Sequence, residues 1–247
     1  MIRILFFITT ISILIIETTF GQNVQTVAHF DTVIVSPHIQ VNLIEGNKET
    51  LTVESISVAE EKLQVEVNGT TLRIYLEDAK EFTKSNTVIE NGRKVKRPIY
   101  KGTIVVAIIT YKTLHELSVR GEEMLVCKSQ LNGDSFNLKI YGESQVFINE
   151  VKLNELNTTI YGESILKIES GSIKEQKFTA YGEAKINALQ IDNQNTKLTA
   201  YGETEFKINA SKRINITSYG EARLQYKGTA KIKKGLNIGG VKISKIQ

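Results

Sequence analysis

Between residues 117 and 226, apolar and polar positions alternate along the chain. Counted from a glycine that recurs about every 20 residues, the positions two and four residues to either side are mostly apolar or small. The period is therefore two, the period of a β-strand, whereas a helix would place apolar residues three and four apart. The strongest predicted inward positions are Leu138, Thr158, Phe178, Leu198 and Ile216 before the glycine, and Val146, Leu166, Ile186, Phe206 and Leu224 after it.

The recurring glycine is the centre of a tripeptide, Tyr-Gly-Glu. A degenerate copy, Arg120-Gly121-Glu122, precedes the complete ones, and successive glycines from Gly121 to Gly220 are 21, 20, 20, 20 and 18 residues apart. Repeats of this length, with two or three short strands each, are typical of a parallel β-helix whose coils stack roughly 4.8 Å apart. We predict an all-β parallel β-helix with coils of about 20 residues, for which right-handed coiling is the usual choice.

Odd positions face outward in this scheme and form columns of like residues. The two columns beside the glycine are the candidate ligand surface. The tyrosine column is Tyr141, Tyr161, Tyr181, Tyr201 and Tyr219. The glutamate column is Glu143, Glu163, Glu183, Glu203 and Glu221, preceded by Glu122 of the degenerate copy. The tyrosines either stack for stability alone or form a flat aromatic strip for sugar rings or a partner protein.

The glutamate column also has two interpretations. Like charges one coil apart repel, so another group should offset the repulsion. Lys185 and Arg223 lie one outward position beyond their glutamates, and Lys167 and Lys207 lie two, which favours salt bridges across the column. The alternative is a divalent cation between adjacent carboxylates. Because an isolated column of glutamate lacks a metal-ligand motif, we predict neither a metal site nor a cofactor.

The first half of the chain, residues 22–117, is also rich in β-strand patterns but lacks the tripeptide. Asn68-Gly69 predicts a hairpin between residues 63–67 and 72–76. Residues 77–101 form a charged insertion, with a basic loop or a second hairpin turn at 91–98. The apolar run 103–110 predicts a strand buried on both faces. The regular repeats, 118–247, should continue from this half, and Cys127 at an inward position should be a buried small apolar residue.

The N-terminus has the pattern of a signal peptide over residues 1–21. Arg3 provides a positive charge, residues 4–16 are mostly apolar, and Thr19-Phe20-Gly21 resembles a cleavage site. An uncleaved anchor is the alternative, although the run is short for a membrane span. We therefore expect a chain that is exported to the periplasm, the cell surface or the medium, with no membrane span after cleavage.

Composition narrows the function classes. The net charge of +4 is spread along 247 residues, and no basic tract is interleaved with aromatics, which argues against nucleic acid. One cysteine excludes an internal disulfide. His29, His38 and His115 lie outside the regular repeats without metal-ligand spacing, and the glutamates recur as repetition alone would place them. We therefore predict no catalytic residues and no enzyme. A polysaccharide-cleaving β-helix enzyme and a purely structural or assembly protein remain alternatives.

A series of short segments leads into the first motif glycine, Gly121, after which glycine motifs fill the chain. These segments are Phe30-Asp31-Thr32-Val33, Ile39-Gln40-Val41-Asn42-Leu43, Glu45-Gly46, Leu63-Gln64-Val65, Leu72-Arg73-Ile74, Ile108-Ile109-Thr110-Tyr111 and Leu114-His115-Glu116-Leu117-Ser118-Val119. In this layout the chain resembles the bacterial family called putative auto-transporter adhesin, head GIN domain.

The resemblance covers nearly all of the chain after the signal peptide. The family's motif is usually Ser-Gly-Ala-Ser. Here tyrosine and glutamate flank the glycine, while Ser144 and Ser164 keep the small residue that follows. The resemblance implies a β-helical fold and an exported, non-enzymatic, adhesin-like binding module of the bacterial envelope, with a glycan or an envelope protein as the partner. It supplies no catalytic residues.

Overall fold

The computed structural model of the protein describes residues 23–246, so the predicted signal peptide lies outside the described residues. Within this range the only helical element is a 3₁₀ turn, Glu60–Lys62. The strands are β1 Asn23–Thr26, β2 Thr32–Val35, β3 Ile39–Glu45, β4 Thr50–Ile56, β5 Leu63–Asn68, β6 Thr71–Leu76, β7 Ser85–Glu90, β8 Arg93–Pro98, β9 Val105–Tyr111, β10 Glu116–Gly121, β11 Met124–Cys127, β12 Leu131–Gly142, β13 Gln145–Ile148, β14 Val151–Gly162, β15 Ile165–Ile168, β16 Gly171–Tyr181, β17 Ala184–Ala188, β18 Asp192–Asn209, β19 Arg213–Lys227 and β20 Lys231–Lys245.

Two parallel ladders of strands build the molecule. The first ladder runs in the order β6, β2, β10, β12, β14, β16, β18, β19 and β20. The second runs in the order β9, β3, β11, β13, β15, β17 and the later parts of β18, β19 and β20. The result is an all-β solenoid of about six turns with coils of about 20 residues, which confirms the predicted fold class.

The core consists of columns that run along the solenoid axis. In the first ladder Leu138 pairs with Thr158, Thr158 with Phe178, and Phe178 with Leu198. All ten inward positions named from the sequence are buried, as are the small residues beside the motif glycines. Each fully buried aliphatic or aromatic side chain contributes about 1.5–3 kcal/mol of transfer free energy. Because each coil's inward residues pack against the next coil, the core is continuous along the solenoid.

The N-terminal end does not coil in sequence order. The coil made by β2 and β3 lies between the coil of β10 and β11 and an outer coil made by β6 and β9. Antiparallel strands cover that outer coil: β5 pairs with β6, β4 pairs with β9, and β1 pairs with β4. These strands end the parallel stack, since a terminal repeat must shield the apolar face that its inner neighbours bury between them.

The predictions for the first half have mixed outcomes. The hairpin between β5 and β6 is confirmed, with Gly69-Thr70 as its two-residue loop. The prediction that residues 103–110 are buried on both faces is wrong, because β9 buries Val105, Ala107 and Ile109 but leaves the alternate residues half-buried. Only one face of a solenoid wall meets the core. Cys127 is fully buried, as predicted, and burial raises the pKa of its thiol to about 12.

The basic segment 91–98 belongs to a second hairpin, which was one of the two predicted possibilities. Strands β7 and β8 pair antiparallel across a turn at Asn91-Gly92, where both residues have positive φ angles of 50° and 76°. Positive φ at both central residues is the requirement of a type I′ turn, which Asn-Gly meets at low cost. This hairpin is a two-stranded sheet of its own, without ladder pairing to the solenoid.

Candidate functional site

The motif glycine forms the bend between the two ladders. At Gly182 the φ angle is +118°, and a Cβ atom would lie 2.7 Å from the carbonyl oxygen of Gly162. The position therefore requires glycine for two reasons, its backbone conformation and the lack of space. Hydrogen bonds repeat along the bends: the Glu163 N–H and the Ser164 hydroxyl each donate to the carbonyl oxygen of Gly142, both at 2.9 Å. This geometry directs the preceding tyrosine and the following glutamate outward.

The five motif tyrosines form a continuous stack. Ring centroids of successive tyrosines are 5.0, 4.9, 4.7 and 4.9 Å apart, and the ring planes differ by 4° to 8°. The last four side chains are each 38% to 40% exposed. Because the ring faces contact one another, the stack presents ring edges to solvent. The flat strip predicted from the sequence therefore offers no free faces between its members for sugar rings.

Charged and apolar residues end the tyrosine stack. The Arg120 guanidinium carbon lies 4.5 Å from the centroid of Tyr141, at the position that the degenerate motif gives to arginine. Arg120 also pairs with Glu81 at 2.6 Å, and Arg73 reaches the same carboxylate at 2.7 Å. At the other end Ile238 occupies the tyrosine position next to Tyr219. The stack is thus linked at its start to the insertion that follows β6.

The glutamate column forms one wall of a groove of about 500 Å³. Small, buried residues make its floor: Ser164, Ala184, Thr204 and Ala222. Its opposite wall carries the outward residues of the second ladder, which are Ile165, Lys185, Glu205, Arg223 and Lys242. One wall is therefore acidic and regular, and the other is mixed in charge with three basic side chains.

The salt bridges expected across the glutamate column are absent from residues 23–246. Lys167 instead pairs with Glu169 at 2.7 Å, and Lys207 pairs with Glu205 at 3.4 Å. No column carboxylate in the described part of the chain lies within 4.0 Å of a lysine or arginine nitrogen. Lys167 and Lys207 reach an acid two residues away before they reach the column, and among the described residues no carboxylate lies within 4.0 Å of the charged nitrogens of Lys185 or Arg223. The column carboxylates are exposed and available to a ligand.

Metal-ligating residues are scattered in the described part of the chain. No group of three or more His, Cys, Asp and Glu side chains could hold a metal ion there. The three histidines each contact a different partner: His29 lies 2.8 Å from Glu49, His38 Nε2 lies 2.6 Å from the Thr83 hydroxyl, and His115 lies 3.7 Å from Asp31. None of them lines the groove.

Two features of the site region were missed in the sequence analysis. Glu123 fills the inward position after the degenerate motif, and its carboxylate accepts the N–H groups of His38 at 2.9 Å and of Glu122 at 3.1 Å. The signal for this role was an acid at an inward position. The second feature is a groove of about 880 Å³ along another side of the coils, lined by Leu153 and Ile173 together with asparagine, lysine and aspartate side chains. Its residues stack in columns of unlike type, such as Asn132, Lys152, Ser172 and Asp192, so a search for like residues did not reveal it.

Comparison with known proteins gives a family and a fold. Residues 29–230 match the model of a family described as "Putative auto-transporter adhesin, head GIN domain". A putative adhesin from Bacteroides fragilis has a similar structure, with a TM-score of 0.74 and 19% sequence identity over 91% of this chain and 96% of that chain. A putative lipid binding protein from Parabacteroides distasonis is also similar, with a TM-score of 0.61 and 15% identity over 92% of this chain and 98% of that one.

A third similar structure is a putative adhesin from Parabacteroides merdae, with a TM-score of 0.61 and 15% identity over 92% of this chain and 96% of that chain. At such identities the likeness is one of fold. No curated protein matches the sequence. Between residues 23 and 246 no helix has the length and apolar character needed to cross a membrane.

Proposed function

We propose that this chain, which belongs to the putative auto-transporter adhesin, head GIN domain family, is a non-enzymatic binding module of the bacterial cell envelope. In this proposal the chain is exported, and its contact surface is the groove beside the tyrosine and glutamate columns. One observation carries the proposal. The chain repeats an unpaired carboxylate beside a stacked tyrosine coil after coil, along a groove that opens to solvent.

The geometry favours binding over catalysis. Hydrolysis of a glycosidic bond uses two carboxyl groups whose environments differ, so that one is protonated while the other is ionised. Here Glu163, Glu183 and Glu203 occupy equivalent positions in successive coils, and all three are exposed. Equivalent positions do not supply the two different environments that such an acid and base require. A row of this kind suits a ligand that is contacted at several points along its length.

The chemistry of the groove favours an extended glycan. The carboxylates of one wall accept hydrogen bonds from sugar hydroxyls, and Lys185, Arg223 and Lys242 on the other wall donate them. Tyrosine edges and hydroxyls add contacts beside the acidic wall. A protein strand from the envelope is the second candidate, because its backbone would meet the same donors and acceptors.

The experiment is a binding screen of envelope polysaccharides and peptides against the exported protein and two sets of variants. The first set changes Tyr161, Tyr181 and Tyr201 together to alanine. The second changes Glu163 and Glu183 to glutamine, and its matched control changes Glu155 and Glu175, which lie in another exposed column, to glutamine. We expect the groove variants to bind at least about tenfold more weakly and the control to bind normally.

Two results would contradict the proposal. Unaltered binding by the tyrosine variant and by the Glu163 and Glu183 variant would exclude this surface as the ligand site. Release of sugar fragments by the wild-type protein, lost on changing Glu163 and Glu183 to glutamine, would replace the binding module with an enzyme.

A further inference from the structure

The second hairpin, Ser85–Pro98, is called the arm below. It belongs to the connection between β6 and β9, which pair with β2 and β3 respectively. In the neighbouring coil the same connection is the short bend between Val35 and Ile39. The arm is therefore an insertion in one edge of the solenoid. In the later coils, the same edge bears the motif glycines. Contacts confirm this position, because the Ser36 hydroxyl donates to the Lys80 carbonyl oxygen at 2.7 Å and Glu81 pairs with Arg120 below Tyr141.

The base of the arm is held firmly against the solenoid. His38 Nδ1 lies 2.7 Å from the Gly102 carbonyl oxygen, and its Nε2 lies 2.6 Å from the Thr83 hydroxyl. Across the base, the Ile99 N–H donates to the Lys84 carbonyl oxygen at 3.0 Å. Beyond this point the arm pairs only with itself, and only Val88 and Val95 are even half-buried within it. An anchored base with an exposed arm is suited to reaching a surface outside the protein.

One face of the arm combines cations with an exposed apolar residue. Ile89 lies directly opposite Lys94, and Lys96, two residues on, shares that face. Ile89 is 74% exposed. In the described part of the chain, no carboxylate lies within 4.0 Å of the charged nitrogens of Lys94 or Lys96. Arg93 lies on the opposite face, directly across from Glu90. On that face Arg97 is already engaged by Glu90 through two hydrogen bonds of 2.9 and 2.7 Å.

We propose that the arm binds the surface of an anionic lipid membrane. Lys94 and Lys96 would contact lipid phosphates, and Ile89 would enter the boundary between headgroups and acyl chains. Basic side chains beside an exposed apolar residue are the combination that peripheral membrane contacts use. The apolar residue decides against a soluble polyanion, which is hydrated and gives Ile89 nothing to bury against. The segment just before the arm adds a second apolar side chain, Phe82, which is 75% exposed.

The basic arm and the acidic glutamate column lie at different coils along the same edge of the solenoid. The column begins at Glu122, in the coil of β10 and β11, whereas the arm leaves the outer coil of β6 and β9. The coil of β2 and β3 lies between them. A membrane contact through the arm would therefore leave the acidic groove open to a different ligand. Membrane contact by the arm does not depend on what that groove binds.

The test is co-sedimentation with vesicles of phosphatidylcholine alone or of phosphatidylcholine mixed with phosphatidylglycerol. The double variant K94Q/K96Q is compared with K233Q/K234Q, which removes the same charge from β20. All proteins keep the same N-terminus, and circular dichroism checks the fold. Each cation near the surface is worth about fivefold in affinity, so the arm variant should bind mixed vesicles about 25-fold more weakly. The β20 variant should bind within about fivefold of the wild type.

A fluorescent reporter tests insertion of the arm directly, since the chain contains no tryptophan. Ile89→Trp should shift its emission to shorter wavelength with mixed vesicles, whereas Val24→Trp, at a residue 56% exposed on β1, should not. Equal losses for the two charge variants would show that net charge alone binds, and would overturn the proposal. So would absence of wild-type binding. Tight binding of soluble polyphosphate, with unshifted emission from the Ile89→Trp variant on mixed vesicles, would identify a polyanion site instead.

Discussion

From Leu131 to Lys227 the strands of each ladder pair with the next coil in the same direction, whereas three of the first six strands of the described chain, β1, β4 and β5, have only antiparallel partners. The repeat half gains its core and its outward columns from one register applied coil after coil. The first half departs from that register, covers the end of the stack and sends out the arm. Repetition therefore produces a periodic surface, whereas the first half, which does not repeat, produces features that occur once, such as the arm. Three predictions test this contrast, in order of expected effect.

Glycine substitutions should affect the two halves unequally. In the repeat half, Gly182→Ala adds a Cβ 2.7 Å from a backbone oxygen at a φ of +118°, so we expect a loss of at least about 3 kcal/mol. In the first half, Gly69→Ala keeps a φ of +61° with no atom within 4 Å of the new Cβ, so the loss should be about 1 kcal/mol. Urea unfolding gives both values. Equal losses of unfolding free energy at the two positions would contradict this difference. They would show that the stacked bends relax enough to accept a Cβ atom.

The tyrosine stack should act as a chain of neighbour contacts. Tyr181→Ala removes two ring contacts, of 4.9 and 4.7 Å, and should cost about 1–3 kcal/mol. Tyr219→Ala removes one tyrosine contact and should cost about half as much. Tyr181→Phe keeps both contacts and serves as the control, with little change in stability. Equal costs at Tyr181 and Tyr219 in the unfolding measurement would contradict a stack held by ring contacts.

Neutralising a glutamate should have opposite signs in the two halves. Glu183→Gln relieves repulsion within an unpaired column, so the unfolding midpoint should rise slightly at low salt, and the gain should vanish at high salt. Glu66→Gln weakens the bonds that the carboxylate accepts from Lys80 at 2.8 Å and from Tyr75, so the midpoint should fall. A fall of the unfolding midpoint for both variants would contradict repulsion within the column. It would mean that the Glu183 carboxylate has a stabilising partner in solution.

The pH dependence sharpens this third prediction. The hydrogen bond from Lys80, followed by that from Tyr75, holds the pKa of Glu66 below its ordinary value of 4.5. The stabilisation from Glu66 is therefore complete above pH 4.5 and is lost as the pH falls through the lower pKa of the folded state. The difference between Glu66→Gln and the wild type should shrink in that acid range. A constant difference down to the acid unfolding limit would contradict the assigned bonds.

Much of the repeat half could be predicted from the sequence. Alternation identified the inward positions, and the spacing of the motif glycines gave the coil length, because both depend on residues close together in the chain. The partners of the glutamates could not be predicted, since a lysine two positions away has several acids within reach. Lys167 and Lys207 pair with Glu169 and Glu205 instead. Small differences in side-chain direction decide such pairings, and a pattern does not record them.

The sequence by itself determined a β-solenoid with coils of about 20 residues, its inward columns, and one edge of tyrosine and glutamate. These follow from a two-residue period and a repeated glycine, which act locally. Only the tertiary structure decided that β6 and β9 lie outside β2 and β3, that the arm leaves the edge which bears the motif further along, and that the tyrosine faces contact one another. Those outcomes rest on contacts between residues far apart in the chain, and the Tyr-Gly-Glu period carries no information about them.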